Sequence, residues 1–167
     1  MPTITEGKLT FDFPIGWIAE KYDDWVFHIG SFQNVCGGAK AIDILAVEPA
    51  SCCWLIEVKD HRTGHQTSAV KLAEVVAQKV RDSLAGLATA RVRATGVERL
   101  AADGGLDCPD LRVVLHLEQP AATSPLYRSA ISRANVLQRL RQLVKPIDPH
   151  PLVVDLNGSQ NLPWTVT

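Results

Sequence analysis

The stretch Ala41-Ile42-Asp43-Ile44-Leu45-Ala46-Val47-Glu48-Pro49-Ala50-Ser51-Cys52-Cys53-Trp54-Leu55-Ile56-Glu57-Val58-Lys59 decides how this chain reads. It contains two short apolar runs, 41–47 and 53–59, with the composition of neighbouring strands joined by a turn at 48–51. Each run carries polar exceptions. Asp43 sits between Ile42 and Ile44. Residues two apart on a strand share a face, so Glu57 and Lys59 point one way while Ile56 and Val58 point the other. Pairing of the two strands would bring Asp43 and Glu57 together at one edge of a sheet.

Two convergent carboxylates repel each other, which raises a proton affinity or recruits a cation. Mg²⁺ is the natural guest, with Mn²⁺ as an alternative, because such ions prefer hard oxygen ligands and commonly use one or two carboxylates plus phosphate oxygens. Asp43 and Glu57 are therefore the expected metal ligands. Lys59 beside them would orient a metal-bound water or stabilise charge growing on phosphorus, completing a catalytic set for phosphodiester hydrolysis. Spacing alone does not make such a site, since Glu6-Gly7-Lys8 repeats it outside any strong apolar strand. The weight lies in the joint pattern of an Asp in one apolar strand, a short turn, Glu-x-Lys at the end of the next, and then a long helix.

Working outward, residues 8–13 alternate Leu9, Phe11 and Phe13 with polar neighbours and read as a half-buried strand. From Trp17, the positions Ile18, Tyr22, Trp25, Val26 and Ile29 recur at helical spacing and predict a helix, and Gly37-Gly38 suits a hairpin turn. Thr67-Ser68 offers capping hydroxyls to a long amphipathic helix marked by Leu72, Val76, Val80, Leu84 and Leu87. Residues 103–110 read as a loop, 111–117 as a strand, 120–125 as a break, 132–145 as a second amphipathic helix and 152–154 as a last strand. Strands alternating with helices after Lys59 imply an α/β fold with a mixed central sheet flanked by helices.

The 167 residues, 46% hydrophobic and 21% charged, suit one folded domain spanning 1–167 and argue against disorder. The first residues form neither a signal sequence nor an apolar span of bilayer length, so the expectation is a cytoplasmic chain with no membrane partner. Cys36, Cys52, Cys53 and Cys108 include no Cys-x-x-Cys pair and read as reduced thiols in or near the core. Residues 1–60 hold nine acids against four bases, whereas residues 61–145 hold thirteen bases against seven acids. Such a chain could set a positive face for phosphates beside an acidic pocket. His28, His61, His65, His116 and His150 show no metalloprotease spacing, and His116 reads as a hydrogen-bonded strand residue. The tryptophans read as core.

The run Ala41-Ile42-Asp43-Ile44 followed by Glu57-Val58-Lys59 resembles the PD-(D/E)xK, or restriction-endonuclease-like, nuclease superfamily, with the likeness extending roughly over 17–117. Ile42 stands where that motif has its proline. The resemblance implies an αβββαβ core with a C-terminal helix-strand extension and a Mg²⁺-dependent endonuclease acting on DNA. In it, Asp43 and Glu57 hold the metal and Lys59 attends the attacking water. It also implies a further acid from the first helix, for which Asp24 is chosen over Glu20 and Asp23, and an accessory polar residue on the long helix, Gln78. The alternative is a catalytically inactive nuclease-like module for nucleic-acid binding or protein docking in a repair or defence complex, with a protein partner or a second copy of the chain.

Overall fold

The computed structural model describes residues 1–63, 67–120 and 131–167. The chain forms an α/β fold in three layers. A five-stranded sheet runs in the order β3 (Ile18–Lys21), β4 (Ile44–Glu48), β5 (Cys52–Asp60), β6 (Asp110–Glu118), β7 (Leu152–Val154). The first three strands are antiparallel, while β5, β6 and β7 are parallel. Parallel neighbours need crossovers, and helices supply them. Helices α1 (Ala69–Arg93) and α2 (Gly96–Asp107) link β5 to β6, and α3 (Arg133–Val144) precedes β7. A smaller sheet of β1 (Thr3–Glu6), β2 (Leu9–Asp12) and β8 (Thr165–Val166) forms the third layer.

Period-two patterning sorts the side chains of β4 and β5 between two cores. Leu45, Val47, Cys53 and Leu55 face the helices, meeting Leu72, Val76, Val80 and Leu87 of α1. Ile44, Ala46, Trp54, Ile56 and Val58 face the small sheet, meeting Leu9, Phe11, Phe13 and Trp164. A strand buried on both faces reads as a continuous apolar run, which is why β5 shows so little alternation. Each large aliphatic side chain so buried contributes about 1.5–3 kcal/mol.

Three expectations change. Residues from Trp17 form β3, then a 3₁₀ turn, Tyr22–Asp24, and a short π-helical segment, His28–Phe32, rather than one continuous helix. The buried side of this segment is Tyr22, Trp25, His28 and Phe32, whose rings pack together, while Val26 and Ile29 are largely exposed. Gly37-Gly38 closes a short 3₁₀ turn, Val35–Gly37, not a hairpin. Residues 103–107 belong to α2, where Gly104 and Gly105 let the helix lie on the sheet. An added Cβ at Gly105 would stand 3.0 Å from Cys53 Sγ, and one at Gly104 would stand 3.4 Å from Val47. The expected break at 120–125 lies, apart from Pro120, outside the described residues, as does His65. Among the described residues no helix is long and apolar enough to cross a membrane.

Candidate functional site

Strand register brings the charged residues together. Ile44 pairs with Ile56, so Asp43, one step before β4 begins, stands opposite Glu57 on the side facing α1. The Asp43 carbonyl accepts from the Tyr22 N–H at 3.0 Å, continuing the β3–β4 ladder by one step, and its side-chain Oδ2 accepts from the Val58 N–H of β5 at 2.7 Å. Helix α1 fixes the segment from above. Ser83 Oγ accepts from the Ile42 N–H at 2.9 Å, and Asp82 Oδ2 accepts from the Lys40 N–H at 3.0 Å.

One turn earlier on α1, Lys79 points into the space between the acids. Its Nζ lies 3.1 Å from Asp43 Oδ1 and 2.6 Å from Glu57 Oε1, while Lys59 Nζ lies 2.5 Å from the same Glu57 oxygen. The Glu57 side chain is completely buried, the Asp43 side chain is 9% exposed, and Lys79 and Lys59 are progressively more open at 18% and 29%. A lone carboxylate at the position of Glu57 would cost several kcal/mol, so the two ammonium groups are what allow charge there. Burial first, and then repulsion by Asp43, push the Glu57 carboxyl up to about 7 against the pull of Lys59 and Lys79. Burial pulls Lys79 down, but Glu57 and Asp43 outweigh it and leave the ammonium more firmly protonated than an ordinary lysine.

The structure therefore gathers Asp43, Glu57 and Lys59, as expected, and adds Lys79. It does not bring in Asp24, which pairs with Lys21 at the surface, 3.2 Å away. The acid whose field reaches Asp43 is the adjacent Asp23, pushed up to about 6 by burial and then by Asp43. Gln78 lies instead in a groove of about 320 Å³ between α1 and α3, with Glu74, Arg81, Leu143 and Pro146. The one signal for Lys79 in the sequence is that it falls in the buried spacing Leu72, Val76, Ser83. On the other sheet face, His116 Nε2 lies 2.9 Å from Glu118 Oε1 and both are buried.

A divalent ion on Asp43 and Glu57 would have to share space with Lys79. Among the described residues no group of three or more His, Cys, Asp or Glu side chains is arranged to hold an ion.

The Glu57 shift has a measurable consequence. Its carboxyl binds a proton more tightly folded, near 7, than unfolded, near 4.5. Its contribution to stability is thus full below about 4.5 and is lost as pH rises through about 7, at up to about 1.4 kcal/mol per pH unit. Urea unfolding of Glu57→Gln should lack this component of the pH slope, and equal slopes in variant and wild type would contradict it.

Comparison with known proteins gives a relative along the whole chain. It is a protein named cysteine–tRNA ligase, from Neisseria meningitidis. The two are 34% identical over 214 aligned positions that take in all of this chain and 30% of the relative, so the chain spans under a third of that protein's length. No family model matches the chain. No solved structure matches it either.

The match corrects several expectations. Membership of the PD-(D/E)xK superfamily, endonuclease or other nuclease activity, the inactive nuclease-like module and DNA as partner are all withdrawn, because the relative carries the name of a tRNA ligase. The physical reason is plain in the geometry. An acid, a turn, Glu-x-Lys and a crossover helix dictate which side chains meet in a mixed sheet, but a shared fold does not dictate their chemistry. Here the meeting ends in charge balance, two carboxylates against two ammonium groups.

Proposed function

We propose that this domain is an RNA-contacting module of a tRNA-ligase-related protein, which presents the face formed by α1 and α3 to tRNA phosphates. The observation that carries the reading is the similarity, along the full chain, to a protein named cysteine–tRNA ligase. The surface supports it. Helix α3, Arg-Ala-Asn-Val-Leu-Gln-Arg-Leu-Arg-Gln-Leu-Val, has no acid. Its exposed Gln138 and Arg141, with Lys145 just past its end, recur at spacings of three and four and share a side. On α1, Arg81 lines the groove between the two helices with its side chain 71% exposed, 2.8 Å from Asp82 Oδ1. Arginine, lysine and amide side chains are the groups that contact phosphate and sugar, and neutralised phosphates dominate nucleic-acid affinity.

In this reading the acid–lysine cluster is scaffold. It locks α1 to β4 and β5 and so holds the basic face rigid, with Asp43, Glu57 and Lys59 as positioning residues. The cysteines, none in a disulfide and two of them buried, suit a reducing compartment. The test is a pair of charge reversals, Arg141→Glu with Lys145→Glu, measured by tRNA filter binding across a salt series. We expect at least tenfold weaker binding, about 1.4 kcal/mol, and a salt slope shallower by about 0.7–0.9 for each phosphate no longer neutralised. An unchanged affinity, or no tRNA binding by the wild type, overturns the proposal.

A further inference from the structure

We infer that Lys79 is the built-in cation of the pocket between Asp43 and Glu57, closing to divalent metals a site that its removal opens. The inference does not depend on whether α3 touches RNA.

Three observations carry it. The first is position. Lys79 Nζ stands 3.1 Å from Asp43 Oδ1 and 2.6 Å from Glu57 Oε1, in the space between the two carboxylates. Mg²⁺ takes carboxylate oxygens at about 2.0–2.1 Å, so an ion bridging the same oxygens would overlap the ammonium. The second is charge. Asp43 and Glu57 balance Lys59 and Lys79, and an added divalent ion would leave two uncompensated charges in a pocket where Glu57 has no exposure. The third is anchoring. Lys79 lies between Val76 and Val80, both fully buried, and the next turn of the helix holds Lys40 and Ile42 through Asp82 and Ser83. Its backbone cannot withdraw without opening the core.

With Lys79 gone, two carboxylates would face each other with only Lys59, and like charges so placed recruit a cation. Lys79→Met keeps the length and apolar stem while deleting the charge. Asp43's other oxygen would remain fixed on the Val58 N–H, leaving Oδ1 free for the ion.

The experiment titrates Mn²⁺ into wild type, Lys79→Met, Asp43→Asn and the Asp43→Asn, Lys79→Met double variant, following binding by electron paramagnetic resonance and stability by thermal melting. Lys79→Met should gain one site at least tenfold tighter than any in the wild type. Its Tm should rise with Mn²⁺, and both effects should vanish in the double variant. The wild-type Tm should not respond. A stoichiometric wild-type Mn²⁺ site lost in Asp43→Asn overturns the inference, and so does a folded Lys79→Met without a new site. Lys79→Gln, which retains hydrogen-bonding capacity, serves in the same comparison if the Met variant does not fold.

Discussion

Lys79→Met should be among the most destabilising single substitutions in this chain in metal-free buffer, at about 3–5 kcal/mol, the cost of removing one partner from a buried charge cluster. At roughly 2–4 °C of Tm per kcal/mol for a domain of this size, calorimetry would register a drop of about 6–20 °C. Burial sets the size of the effect. Glu57 is wholly enclosed and Lys59, its other cation, is the more exposed of the two lysines. Protonation of Glu57 offers partial relief, so the loss should shrink as pH falls. A mild effect, under about 1 kcal/mol, would mean that the cluster is solvated like a surface pair. Replacing the four charges together with apolar side chains of matched volume should cost far less than Lys79→Met alone, because no carboxylate is then left buried without its cation.

Gly86→Ala should also destabilise strongly, by about 1–3 kcal/mol or more, through overpacking. Gly86 is the point on α1 where the helix passes over Tyr22, and an added Cβ would stand 2.0 Å from the Tyr22 hydroxyl and 3.3 Å from the Phe32 ring. That hydroxyl cannot easily retreat, since it donates to the Ser83 carbonyl at 3.3 Å and its ring packs on Trp25 and His28. Tyr22→Phe removes the clashing atom, so the double variant should recover most of what Gly86→Ala alone loses. Chemical denaturation of the four-member cycle measures the coupling. Additive effects would show that α1 yields at Gly86 instead of clashing.

Legibility followed burial. The runs 41–47 and 53–59 became strands Ile44–Glu48 and Cys52–Asp60 because both their faces are enclosed. Helix α1 begins where its cap was read, with Ser68 Oγ accepting from the Lys71 N–H at 3.2 Å, and Ser132 caps α3 in the same way. What failed were segments whose conformation is set by distant partners. The backbone N–H groups of Val26 and Phe27 are held by Glu98, over seventy residues away. Gly104-Gly105 looks like a turn until Cys53 and Val47 stand beneath it. Strand β8 is set by pairing with Phe11 and Asp12, at the other end of the chain.

The candidate site shows the same division. Register between two strongly apolar strands made the meeting of Asp43, Glu57 and Lys59 readable. Asp23 and Asp24 are indistinguishable as letters; what separates them is burial, since Asp24 is 66% exposed beside Lys21 while burial pushes Asp23 up. Lys79 was hidden because a lysine on an amphipathic helix ordinarily faces water, and only the acids beneath it reverse that preference. The activity lay further out of reach. Geometry specified a charge cluster, and two carboxylates with a lysine between them serve equally well to pin a helix.

The most direct test of the functional account is a competition in which labelled tRNA bound to the domain is challenged, at fixed salt, by unlabelled tRNA or by duplex DNA of equal phosphate content. The account predicts that tRNA displaces the label at a concentration at least tenfold lower than DNA does. Equal or better competition by DNA would contradict it.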